Sequence, residues 1–177
     1  LWSTCTSPPL ASDACGFYDK CLEATHECGS KGYALGYGLK YCERFDNSTR
    51  QCASKKGTHW INSTLACLQE SLVPLLDANE TCDAIKMFAF NSHPKCYTGG
   101  GKAVPRHPSI CMLPLSDWTC VIETIDARDA LSPLGLLQEA KVADICAMQW
   151  HNLTGDASCD SDDRCQHWRK RDREIWK

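Results

Sequence analysis

Residues Thr58 to Val73 read Thr-His-Trp-Ile-Asn-Ser-Thr-Leu-Ala-Cys-Leu-Gln-Glu-Ser-Leu-Val. Ile61, Leu65, Leu68, Leu72 and then Leu75 recur at intervals of four, three, four and three, the spacing that lines one face of an α-helix. Asn62, Ala66 and Gln69 fall on the other side and are expected to face water. Pro74 has no N–H to donate and ends the helix. Upstream, Phe17, Cys21, Ala24 and Cys28 repeat the helical pattern, with Ser12 or Asp13 as a capping residue. Ala34, Tyr37, Tyr41 and Phe45 form another stripe. Gly36 and Gly38 interrupt it at about 1 kcal/mol each relative to Ala and mark a place where another backbone approaches closely.

Downstream, Thr81 to Phe90 is expected to be helical, with Cys82, Ile85, Phe88 and Ala89 inward. Trp118, Val121, Ile122 and Ile125 mark a helix capped by Ser116 or Asp117. Ser132-Pro133 reads as an N-cap followed by proline at the first helical position. The helix that follows runs toward Trp150 and is apolar over much of its circumference, so a central position is expected. Trp60, Trp118 and Trp150 are assigned to the core, and Trp168 and Trp176 to the polar tail. No alternating apolar run and no Asn-Gly hairpin signal a strand. Asn91 to Pro114 carries Pro94, Gly99-Gly100-Gly101, Pro105 and Pro108 and is predicted as one long loop. The expected fold is all-α: a disulfide-locked helical bundle with one long irregular loop over residues 1–155, followed by a charged C-terminal segment, 156–177.

The 177 residues are 43% hydrophobic, enough for a core of ordinary size. A net charge of −3 gives no electrostatic footprint for nucleic acid. No apolar run approaches the roughly 20 residues that span a bilayer, so no transmembrane segment is expected. Fourteen cysteines are present: Cys5, Cys15, Cys21, Cys28, Cys42, Cys52, Cys67, Cys82, Cys96, Cys111, Cys120, Cys146, Cys159 and Cys165. So dense and even a set belongs to an oxidising compartment. There is no Cys-x-x-Cys pair of the kind zinc sites use. Spacing leaves the disulfide connectivity open. Four glycosylation sequons, at Asn47, Asn62, Asn79 and Asn152, agree with an extracellular location. The chain begins at Leu1 and is read as a secreted, mature form whose signal peptide has been removed.

Complete catalytic constellations are missing. His93-Pro94-Lys95-Cys96-Tyr97 is similar to the His-Asp-x-Cys-Tyr motif of secreted phospholipases A2. Here Pro94 replaces the calcium-holding Asp, and Asn91 and Ser92 replace the preceding cysteines. Gly99 to Lys102 lacks the spacing of a phosphate loop, and Asp160, Asp162 and Asp163 lack the Gly and Glu of an EF-hand. No Gly-x-Ser-x-Gly elbow occurs. If the protein is catalytic, His93 or His107 is the candidate base. No metal and no cofactor are called for.

One family resemblance covers about half the chain. Cys15-Gly16-Phe17, then Cys21-Leu22-Glu23, Cys28, Gly32-Tyr33, Cys42-x-x-Phe45, and later Cys67, Cys82 and Cys96-Tyr97, resemble the cysteine ladder of stanniocalcin. Cys52 has no counterpart in that ladder. The resemblance implies a helical bundle bridged Cys5–Cys21, Cys15–Cys42, Cys28–Cys82 and Cys67–Cys96. It also implies a secreted glycoprotein that regulates mineral balance and inhibits extracellular metalloproteases.

Two functional expectations follow. The first is an extracellular regulatory or binding protein without catalysis, acting on a protein partner, a small apolar ligand or a second copy of itself as a homo-oligomer. It predicts an exposed apolar patch free of glycans. The alternative is a secreted enzyme acting on a small or lipid-like substrate in a helix-lined pocket. It predicts that His93 or His107 lies in such a pocket beside a second polar group.

Overall fold

The computed structural model describes residues 5–9, 13–99 and 108–154, excluding the side chains of Ser48 and of 151–154. Ser12, His107, Cys159, Cys165 and the segment 156–177 lie outside the described residues, as does the side chain of Asn152. The described part is mostly helical, with no strand, as the periodicity predicts.

Helix α1 opens with π-helical turns at Tyr18–Glu23 and continues as Ala24–His26. It stops where Glu27 turns left-handed at φ 50°. Helix α2 passes through Ala34–Leu39 and Lys40–Arg44, then Phe45–Thr49 and Arg50–Cys52. The first and third of these are again π-helical. Helix α3 spans Lys55–Leu72 and gives way at Pro74 to a 3-10 segment, Val73–Asp77. Helix α4 spans Cys82–Tyr97, and a 3-10 turn at Ile110–Met112 leads to α5, Leu115–Thr124. The short α6, Ala127–Ala130, precedes α7, Pro133–Thr154. α4 lies between α3 and α7 and packs against both.

The core forms where these helices meet. Ile61, Leu65, Leu68 and Leu72 of α3 are buried with Leu75, as their spacing requires. Ala66 and Gln69 are buried too, contrary to expectation. α3 is covered on more than one side, and the Gln69 amide donates to the Ala14 carbonyl at 2.8 Å. On α4, Ile85 and Ala89 point inward, but Phe88 and Cys82 are exposed. Cys82 is held at the rim by its bridge to Cys28. On α5, Val121 is inward and Ile122 outward. α5 begins earlier than expected, with Pro114 as its N-cap. Asp117 therefore lies within its first turn, buried.

Two larger expectations are corrected. Asn91 to Tyr97 is not loop: α4 carries on through Pro94. Its missing N–H leaves only the Phe90 carbonyl without an i+4 donor, and the burial of His93, Pro94 and Cys96 holds the turn in place. α7 is not central. Its start is as expected, with the Ser132 hydroxyl accepting from Gly135 N–H. Only one side of it is buried, through Gln138, Val142, Cys146 and Gln149. Trp150 is about half exposed, although its indole N–H reaches the Cys111 carbonyl at 2.9 Å.

Six disulfides lock the helices. Cys5–Cys21, Cys15–Cys42, Cys28–Cys82 and Cys67–Cys96 are the four pairs that the resemblance implies. Cys52–Cys120 and Cys111–Cys146 are additional. Among the described residues no cysteine is free. No described helix is long and apolar enough to cross a membrane.

Candidate site: an aromatic cavity around His93

α1, α2, α3, α4 and α5 converge on an apolar cavity of about 50 Å³. All five tyrosines of the chain line it: Tyr18, Tyr33, Tyr37, Tyr41 and Tyr97. The i, i+4 spacing of Tyr33, Tyr37 and Tyr41 places three of them along α2. Tyr33 and Tyr37 stack with centroids 5.8 Å apart, and Tyr37 lies 4.6 Å from Tyr41 and 4.7 Å from Phe90. From α3, Trp60 closes the far end, its ring 5.9 Å from Tyr97 and its N–H donating to the Tyr97 carbonyl. Gly38 admits the Tyr18 ring, because a Cβ there would stand 2.4 Å from a ring carbon. That glycine serves the approach of a side chain rather than of a backbone.

His93 enters from α4 and is 1% exposed. Its Nδ1 lies 2.6 Å from Gln138 Oε1 of α7, and its Nε2 lies 2.9 Å from the Tyr33 hydroxyl. An amide oxygen only accepts, so Nδ1 carries the proton and Nε2 accepts from Tyr33. Burial pushes the imidazole pKa down to about 4. The side chain is therefore neutral, with both nitrogens engaged, near neutral pH. Burial also raises the Tyr33 and Tyr97 hydroxyls well above their usual range. Among the described residues no charged side chain lines the cavity.

At its edge, where Tyr41 and Ile125 line the wall, lies an ionic cluster. Lys40 pairs with Asp126 at 2.6 Å and with Asp129 at 2.8 Å, and Arg44 pairs with Asp126 at 2.7 Å. The Tyr41 hydroxyl donates to Asp129. The cluster ties α2 to the α5–α6 corner. Hydrogen bonds from Arg44 and Lys40 hold the Asp126 carboxyl down at about 2.

Of the sequence candidates, His93 is thus in a pocket beside two polar partners, as the enzyme expectation required. Among the described residues no cysteine, serine or carboxylate is hydrogen-bonded to it, and a buried imidazole that ionises only near pH 4 is a weak base. The sequence reading missed Gln138 and Tyr33, whose polarity gave no sign of burial. The sequon residues Asn47, Asn62 and Asn79 are exposed, on α2, on α3 and before α4. Among the described residues no three His, Cys, Asp or Glu side chains gather as a metal set.

No family model, no curated protein and no solved structure matches this chain.

The other notable surface is the outer side of α7. Leu136, Ala140, Ala143, Ala147 and Trp150 recur at four, three, four and three and are all exposed. About a third of a turn around the helix runs the buried series Gln138, Val142, Cys146 and Gln149. α7 thus carries two stripes, and the one facing outward is apolar where a solvated helix would be polar.

Proposed function

We propose that this protein is a non-catalytic extracellular glycoprotein that binds a protein partner, and that the outer stripe of α7 is its contact face. The single observation that carries the reading is that heptad-like apolar series on a solvent-facing side. Small residues at its centre allow a second helix to approach closely, and Leu136 and Trp150 at its ends supply anchoring area. Three of the four sequons, Asn47, Asn62 and Asn79, lie on other elements, so glycans there leave the stripe uncovered; the fourth, Asn152, lies on α7 itself, two residues beyond Trp150. The cysteine density and sequons support secretion. The ladder resemblance supports a stanniocalcin-like regulator, which makes extracellular metalloproteases the first partner class to examine.

The test is a titration of the glycosylated protein against extracellular metalloproteases, reading protease inhibition and complex mass, with self-association followed by light scattering. Ala143→Glu places a charge at the centre of the stripe without touching the core. Inhibition or complex formation that weakens at least tenfold in this variant supports the reading. Complexes indifferent to Ala143→Glu overturn the assignment of the face. Hydrolysis of an ester or lipid substrate that vanishes in His93→Gln overturns the non-catalytic reading in favour of an enzyme.

A further inference from the structure

We propose that the aromatic cavity is a binding site for a small neutral molecule carrying one hydroxyl or carbonyl group. The site is separate from the α7 face and stands on its own observations. Protein interiors are packed to crystal-like density, so a void among five tyrosines and a tryptophan is a departure that a bound group would correct. Its wall is apolar apart from hydroxyl, imidazole and indole groups, and among the described residues no charged side chain lines it. A charged guest would lose its hydration with no counter-charge in return. The guest is therefore neutral.

A second observation points to a missing partner. Thr64 lines the cavity from the middle of α3, and its residue is 3% exposed. Its Oγ1 is buried and has no hydrogen-bond partner. A mid-helix threonine ordinarily donates to the carbonyl four residues back, here that of Trp60, and this one does not. An unsatisfied hydroxyl next to a void calls for a ligand atom that accepts or donates. His93 does not compete for that role, since Gln138 and Tyr33 occupy both its nitrogens.

Size narrows the class. A water occupies about 10–15 Å³ of such space, so 50 Å³ takes on the order of four water-sized groups. That suits a short alcohol or ketone, or the end of a longer chain, but not a lipid.

The test uses the intact glycosylated protein and 1-butanol as the polar probe, with xenon as the apolar one, followed by amide chemical shifts. Both probes are expected to give saturable shifts at Gly38, Ile61, Thr64 and Ile110. Thr64→Val keeps the shape and removes the hydroxyl. It is expected to weaken 1-butanol at least fivefold while leaving xenon unchanged. The inference is overturned if 1-butanol gives no saturable shift at these residues, if its affinity is the same in Thr64→Val, or if ordered water fills the cavity and 1-butanol does not displace it.

Discussion

The buried carboxylate of Asp117 on α5 accepts twice from Ser54, the residue that caps α3: from its N–H at 2.8 Å and from its hydroxyl at 2.7 Å. The same hydroxyl accepts from Gly57 N–H at 3.1 Å. The carboxyl group thus sits against the N-terminus of α3, where the helix dipole favours an acidic side chain. Asp117→Ala leaves these buried donors short of a partner and is expected to cost about 3 kcal/mol. Gly57→Ala is expected to destabilise as well, because its Cβ would stand 2.7 Å from the Asp117 carboxyl carbon. Urea unfolding of the two variants checks both.

His93 makes stability depend on pH in a defined window. Its folded pKa is about 4 against an ordinary 6.5. Above pH 6.5 both folded and unfolded chains hold the neutral ring, and its contribution is complete. As the pH falls below 6.5 the unfolded chain takes up a proton that the native site refuses, so stability drops until about pH 4. The full drop is about 3 kcal/mol. The difference between wild type and His93→Gln across pH 7 to 4, by denaturant titration, should show this slope and its loss.

The ionic cluster acts lower. Asp126 ionises near 2 in the folded chain, below its ordinary 3.8. Its contribution is in place above about pH 4 and is lost as pH falls toward 2. Asp126→Asn should lower stability by a constant amount above pH 4 and flatten the acid unfolding curve below it. High salt should mimic the variant in part, since the cluster is solvent-exposed.

Bridges differ in what they contribute. Cys52–Cys120 closes a separation of 68 residues and Cys5–Cys21 one of 16. Loop entropy gives about 4 and about 3 kcal/mol respectively. The double variant Cys52→Ser with Cys120→Ser should therefore lower Tm further than Cys5→Ser with Cys21→Ser, by differential scanning calorimetry.

The helices were legible where apolar residues repeat, because a stripe such as Ile61 to Leu72 can be buried in only one way. Ser132 and Pro133 announced a helix start through local chemistry alone. Pro94 misled, because a residue before proline is biased away from the helix, and here the burial of His93 outweighs that bias. Gln69, Gln138 and Asp117 misled for a different reason. They are polar, yet each is buried with a hydrogen bond to a residue distant in the chain that sequence spacing does not reveal. The cavity itself was half legible: Tyr37 and Tyr41 stood out as a helical stripe, but Tyr18 and Tyr97 join them only through tertiary packing.

The six bridges overlap in sequence: 5–21 reaches past 15, 15–42 past 28, 28–82 past 52, and 52–120 past 111, where the last runs to 146. Every peptide bond between Cys5 and Cys146 is therefore spanned by at least one sulfur crosslink. A protease that clips the backbone once anywhere in that interval releases no fragment. The nicked molecule keeps its mass until a reductant is added, so cleavage in the surroundings of this protein is silent to size and visible only on a reducing gel.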